Sequence, residues 1–141
     1  MTKPVLSLVL IGLSLPFASI AISAEDNLQQ AQHGIQSAYD AGQGKISILH
    51  WPSAWVVDEH SFHYSKKVQT VALQGDVAQV AMRQDDSVMA ADPKTGQHHF
   101  IRDTAIFKDT WKHAHQRWFL KKRTFGEGQD TIDGKRLMQE N

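Results

Sequence analysis

The chain contains no cysteine. That one absence removes a thiol nucleophile, a CxxC redox pair, a disulfide framework and a thiolate zinc site together. A surplus of charge of one sign is missing as well, with fifteen Lys and Arg against fifteen Asp and Glu. A nucleic-acid binder would need a basic stripe to displace counterions, and this sequence has none. No phosphate loop, nucleotide fingerprint or Gly-x-Ser-x-Gly elbow occurs. Long apolar runs are lacking except at the N-terminus. Internal repeats and low-complexity segments are lacking throughout.

The N-terminal run is distinctive. Lys3 precedes "VLSLVLIGLSLPFASIAISA", which ends in small residues and gives way to the polar "EDNLQQ". A positive start, an apolar middle and a small-residue end read as a secretory signal peptide. Residues 1–24 are assigned to it, and cleavage after Ala21 also fits. The run is nearly long enough to span a bilayer, so a retained anchor is the competing reading. Pro16 and the small residues favour cleavage, and the expected location is periplasmic or secreted, with membrane contact only through the uncleaved peptide. What remains, residues 25–141, suits one compact domain. Without disulfides, its core alone must hold it.

Leu28, Ala31, Ile35, Ala38 and Tyr39 recur at three- and four-residue steps, which predicts an amphipathic helix stopping at Gly42 or Gly44. "KISILHW" fits a short second helix or a buried strand, and Pro52 ends it either way. "AWVVDEHSFHYSKK" reads as a short helix leading into an edge strand. From Val68 the pattern is that of strands. "VQTVALQ" meets the Gly75-Asp76 hairpin signal, "VAQVAMRQDDSVMAA" follows, "DPKTGQ" is a loop, and a long strand runs from His98 to about Lys112. "HAHQ" turns the chain into "RWFLKKRTF", and Asp133-Gly134 marks a last turn. Helices first and an antiparallel meander afterwards give an α+β architecture with helices on one face of the sheet.

Several stretches carry a family resemblance. "AYDAGQGKISILHWPSAW" resembles the segment after the first helix of nuclear transport factor 2-like proteins. "LQGDVAQVAM" resembles their strand beginning GDxAxV, and "IFKDTWKHAHQRWFLKKR" their terminal hairpin. The likeness covers about Leu28 to Thr124 and takes in the SnoaL-like and ketosteroid-isomerase-like branches. Two departures stand out: a turn without glycine at "HAHQ", and a shortened region between Trp55 and Lys67. The resemblance implies a cone-shaped, cystatin-like fold, a strongly bent antiparallel sheet wrapped on N-terminal helices with a pocket at the wide end.

Side chains two apart on a strand share a face. Ile101, Asp103, Ala105, Phe107, Asp109 and Trp111 lie together, as do Ala78, Val80, Met82 and Gln84, and Trp118, Leu120 and Lys122. These apolar faces read as the inner wall, with Asp103, Asp109, Gln84 and Lys122 as its polar exceptions, facing a cavity. A β-bulge would instead turn an aspartate outward, and Asp109 could pair with Lys122 across the hairpin. A carboxylate buried among apolar groups would have a raised pKa suited to proton transfer, so Asp109 and Asp103 are the candidate catalytic residues.

Of the eight histidines, His113 and His115 fall in a turn, and the adjacent His98 and His99 point to opposite faces. His60 and His63 lie where they would cap the pocket and could pair with Asp109 or Asp103. No convergent ligand set is evident, so neither a metal nor a cofactor is expected. Tyr39, Trp55, His63, Gln84, Trp111 and Lys122 are the expected ligand contacts. Two function classes remain. One is a non-catalytic exported module that binds a small apolar molecule or serves as an accessory domain. The other is a cofactor-independent isomerase, dehydratase or cyclase using a pocket aspartate as base. Phe100, Ile106 and Phe119 on the outer face suggest a homodimer.

Overall fold

The computed structural model describes residues 24–137. The proposed signal peptide lies outside them except for Ala24. Helix α1 (Ala24–Asp40) opens with Glu25 and Asp26 in its first turn, where negative charge complements the helix dipole. Its buried residues are Ala31, Ile35 and Tyr39, one face at steps of four. The strands are β1 (Val56–Val57), β2 (His63–Gln74), β3 (Val77–Ala91), β4 (His98–Ala114), β5 (Arg117–Ile132) and β6 (Lys135–Arg136). They form one antiparallel six-stranded sheet in which β1 and β2 both pair with β3, followed by β4, β5 and β6. The fold is α+β, one helix packed on this sheet.

Two glutamines hold the helix and its exit against the strands. Gln36 accepts from the Val68 N–H at 2.8 Å and donates to the Lys66 carbonyl at 2.8 Å, both on β2. Gln43 does the same on β5, donating to the Trp118 carbonyl at 2.8 Å and accepting from the Leu120 N–H at 3.0 Å. The α1 face and its exit therefore reach from β2 to β5. Burial alternates strictly along the inner faces of β3 and β4, as the period-two pattern requires.

The inner face carries two apolar clusters. Under α1, Ile35 and Tyr39 meet Val68, Ala78, Val80, Met82, Ala105, Phe107 and Trp111. At the other end Leu49, Val88, Ala90 and Ile101 pack with Trp51, Trp55, Val57, Phe62 and Ile132. Along β3 and β4 the positions between the clusters are Gln84, Asp86 and Asp103, all buried. This polar row across the middle of the sheet is where the function has to be sought.

Several expectations are corrected. "KISILHW" is neither helix nor strand, and α1 is the only helix among the described residues. This segment can stay irregular because its backbone finds partners in sheet side chains: Asp103 takes the His50 N–H, and Gln84 donates to the Ile46 carbonyl. The stretch from Ala54 to Lys67 holds no helix, and the edge strand starts at His63. The hairpin turn is His115-Gln116 alone, both at positive φ (53° and 63°), so His113 and Ala114 still belong to β4.

The most consequential correction is in β5. Its register against β4 shifts twice, between Thr110 and Trp111 and between Ile106 and Phe107. Lys121 is the extra residue of the first bulge and Gly126 of the second. Each bulge exchanges the two faces of the strand. Lys122 therefore stands exposed instead of on the inner wall, and Arg123 takes the inner position opposite Asp109. After Gly126 the inner residues become Gly128, Asp130 and Ile132, opposite Ala105, Asp103 and Ile101.

Candidate functional site

The two aspartates that β4 places inside are treated in opposite ways. Asp109, 1 % exposed, is fully paired. Arg123 donates to it twice, from Nε to Oδ1 and from Nη2 to Oδ2, each at 2.8 Å. The Tyr39 hydroxyl donates to Oδ2, and the Trp111 indole N–H donates to the Tyr39 oxygen at 3.0 Å. Arg123 also donates from Nη1 to the Gly44 carbonyl at 2.6 Å. Gly44 has φ of +69°, and an added Cβ there would lie 2.7 Å from Leu120 and 2.8 Å from Arg123. A glycine is needed for both reasons.

Burial, and then the bond to Asp109, raise the Tyr39 pKa, so its hydroxyl stays protonated and donating. Burial works against the Arg123 charge, but the bonds and charge of Asp109 outweigh it and leave the guanidinium pKa raised. This is a closed ion pair with complete hydrogen bonding. Asp109 is thus not a free base facing a cavity, and its partner is Arg123 rather than Lys122. The Tyr39 hydroxyl is committed to Asp109 and Trp111.

Asp103 has no such partner. Its Oδ2 accepts from the His50 N–H at 2.7 Å, while Oδ1, in a residue 1 % exposed, has no hydrogen-bond partner. Asp86 lies directly across from it on β3 and Asp130 directly across on β5, so three carboxyl groups form one row on the inner face. Asp86 is fully buried. Its Oδ2 accepts from Gln84 Nε2 at 2.8 Å, and its Oδ1 is also unpartnered. Burial raises the Asp103 pKa to about 6, with the charge and contact of Asp130 adding to the rise and the His50 N–H opposing it. Burial likewise raises that of Asp86, opposed by Gln84 and the Ile48 backbone.

The histidine that reaches Asp103 is His50, with Nδ1 3.6 Å from Oδ2; neither His60 nor His63 makes an ion pair with either inner aspartate. Asp86 was legible by carrying the β3 alternation one step past Gln84. Asp130 and Arg123 were hidden by the bulges, and His50 by its irregular backbone.

Beside the row, residues 39–47 and β2–β3 enclose a cleft of about 490 Å³. Lys45, Ile46, Ser47, Tyr64 and Lys66 line it with Tyr39 and Gln84. Gln84 Nε2 donates to the Ile46 carbonyl at 2.7 Å and to Asp86, but its Oε1, buried, has no partner. Of the six expected ligand contacts, Tyr39 and Gln84 are brought together here. Trp111 is sealed in the core, and Trp55 stacks on His99 at 4.3 Å between centroids. His63 is exposed at the start of β2, and Lys122 is exposed on the outer side of β5. Comparison with family models, curated proteins and solved structures finds no match to this chain.

Proposed function

We propose that the protein is an exported, nuclear transport factor 2-like (SnoaL-like) module that binds a small apolar molecule in the cleft over Gln84. The unpartnered, buried Oε1 of Gln84 carries this reading. A buried acceptor without a donor is destabilising by about 1–3 kcal/mol, and a ligand hydroxyl, amine or amide N–H would supply the missing bond. Tyr64 and Ile46, 51 % and 49 % exposed, offer apolar surface to the body of such a ligand. The helix-on-sheet architecture and the resemblance of "LQGDVAQVAM" support the family assignment, with a cone-shaped sheet as its finer form. Export through residues 1–24 and pairing of two copies through the outer face around Phe100 belong to the same reading. The competing function, a cofactor-free isomerase, dehydratase or cyclase, is left with Asp103 as its base because Asp109 is fully paired, and Asp103 does not line the cleft.

The test uses a fragment set of aromatic and alicyclic alcohols together with their methyl ethers, read by NMR. Alcohols should shift the Gln84 side-chain amide and the signals of Ile46 and Tyr64, and the ethers should not. Equal responses from both sets, or shifts confined to other surfaces, would remove the proposal.

A further inference from the structure

Three buried or half-buried carboxyl groups in one row need a neutralising partner, and the chain does not provide an adequate one. Among the described residues no lysine or arginine forms an ion pair with Asp86, Asp103 or Asp130. Lys66 acts on Asp86 only at a distance. Isolated buried charge is strongly unfavourable, and six residues further along the same face of β4 Asp109 shows how completely this fold can satisfy a carboxylate. The row around Asp103 is left with two orphaned oxygens, one on Asp103 and one on Asp86.

We infer that His50, Asp103 and Asp130 form a binding site for a divalent first-row transition-metal ion. One ligand atom from each of the three lies within 4.8 Å of the others. Ligands bound to one ion at about 2.0–2.2 Å stand roughly 3–4 Å apart, so closure requires a movement of about 1 Å. His50 can make it, since its side chain is 73 % exposed and sits on an irregular segment. Its exposure also gives the ion a route in. One imidazole nitrogen with two carboxylates is a mixed donor set, suiting Zn²⁺ or Mn²⁺ better than Mg²⁺ or Ca²⁺. Asp86, hydrogen-bonded to Gln84, would stand behind the ligands and connect them to the floor of the cleft. Period and spacing give no hint of this set, because its members come from an irregular segment, a regular strand and a twice-bulged strand.

The experiment uses the mature full chain stripped with a chelator and titrated with Zn²⁺, Mn²⁺, Mg²⁺ or Ca²⁺ alone. Calorimetry should find one ion per chain for Zn²⁺ or Mn²⁺, and Tm should rise with metal concentration. His50→Ala and Asp130→Asn should each weaken binding by at least about tenfold, the loss expected when a site is disturbed. His115→Ala, in the exposed hairpin turn, should leave metal binding unchanged and controls for adventitious binding by surface histidines. His50→Ala decides the matter should Asp130→Asn fail to fold. Absence of binding, equal affinity for Mg²⁺ or Ca²⁺, or Zn²⁺ binding indifferent to His50→Ala would each overturn the assignment. These outcomes are independent of the fragment test, which probes Gln84.

Discussion

Asp103 and Asp109 share a strand, a face and near-complete burial, yet their substitution by asparagine should act in opposite directions. Asp109→Asn leaves the Arg123 guanidinium, itself only 17 % exposed, without its counter-charge. Breaking a buried pair from one side destabilises by about 3–5 kcal/mol, and a melting curve at neutral pH should show a loss of that order. A loss below about 1 kcal/mol would mean the pair is not closed in solution. For Asp103→Asn, measured in chelator, the expectation is a gain. Burial holds its carboxyl pKa at about 6, well above the ordinary 3.8. Folding therefore keeps the group protonated over a range where the unfolded chain ionises it, and stability falls as pH rises from about 4 through 6. Asparagine removes that loss. At pH 7 the variant should be more stable by about 1–3 kcal/mol, since a tenfold change in proton affinity is worth about 1.4 kcal/mol. Near pH 3 the difference should disappear. A variant that melts lower at pH 7 would refute the account.

The two bulges of β5 are the elements that sort these aspartates. Were Lys121 paired in regular register opposite Thr110, Lys122 would face inward and Arg123 outward, and Asp109 would lose its fork of hydrogen bonds. Deleting Lys121 removes the bulge but keeps Lys122 opposite Thr110 and Arg123 opposite Asp109, so the variant should lose less stability than Asp109→Asn; an equal loss in melting curves would show that the bulge itself holds the pair. The β4–β5 turn leaves room for improvement. His115 and Gln116 both occupy the left-handed region, which disfavours residues with a Cβ by roughly 1–2 kcal/mol each. Asn-Gly fits this two-residue turn better, and the double replacement should raise stability by about 1 kcal/mol or more in denaturant unfolding. No gain, or a loss, would imply that the histidine makes contacts outside the turn.

For the molecule as a whole, the outer face bears on assembly. Phe100 is 42 % exposed, while Ile106 and Phe119 are half-buried among charged neighbours. If two copies pair there, light scattering at tens of micromolar should give twice the chain mass, and Phe100→Glu should return it to the monomer. A monomer in the unaltered protein would remove pairing from the proposed function. Among the described residues no helix is long and apolar enough to cross a membrane. The proposed export rests on the N-terminal run. N-terminal sequencing of the exported product should begin near Glu25, and an intact Met1 in the cytosol would contradict it.

Period alone determined much of this chain. The spacing of Ala31, Ile35 and Tyr39 specified the buried face of α1, and alternation in "VAQVAMRQDDSVMAA" and "IRDTAIFKDTW" specified the inner faces of β3 and β4. Gly75-Asp76 and Asp133-Gly134 announced their turns through the backbone freedom those residues carry. These are local properties, fixed within a few residues. Which aspartate is paired is not local. It depends on whether β5 presents Lys122 or Arg123 opposite Asp109, and a bulge is set by the fit between two strands rather than by either sequence. His50 reaches Asp103 across 53 positions of chain, and it does so from a segment with no period to read. Only packing of that segment on the sheet brings the imidazole, Asp103 and Asp130 together.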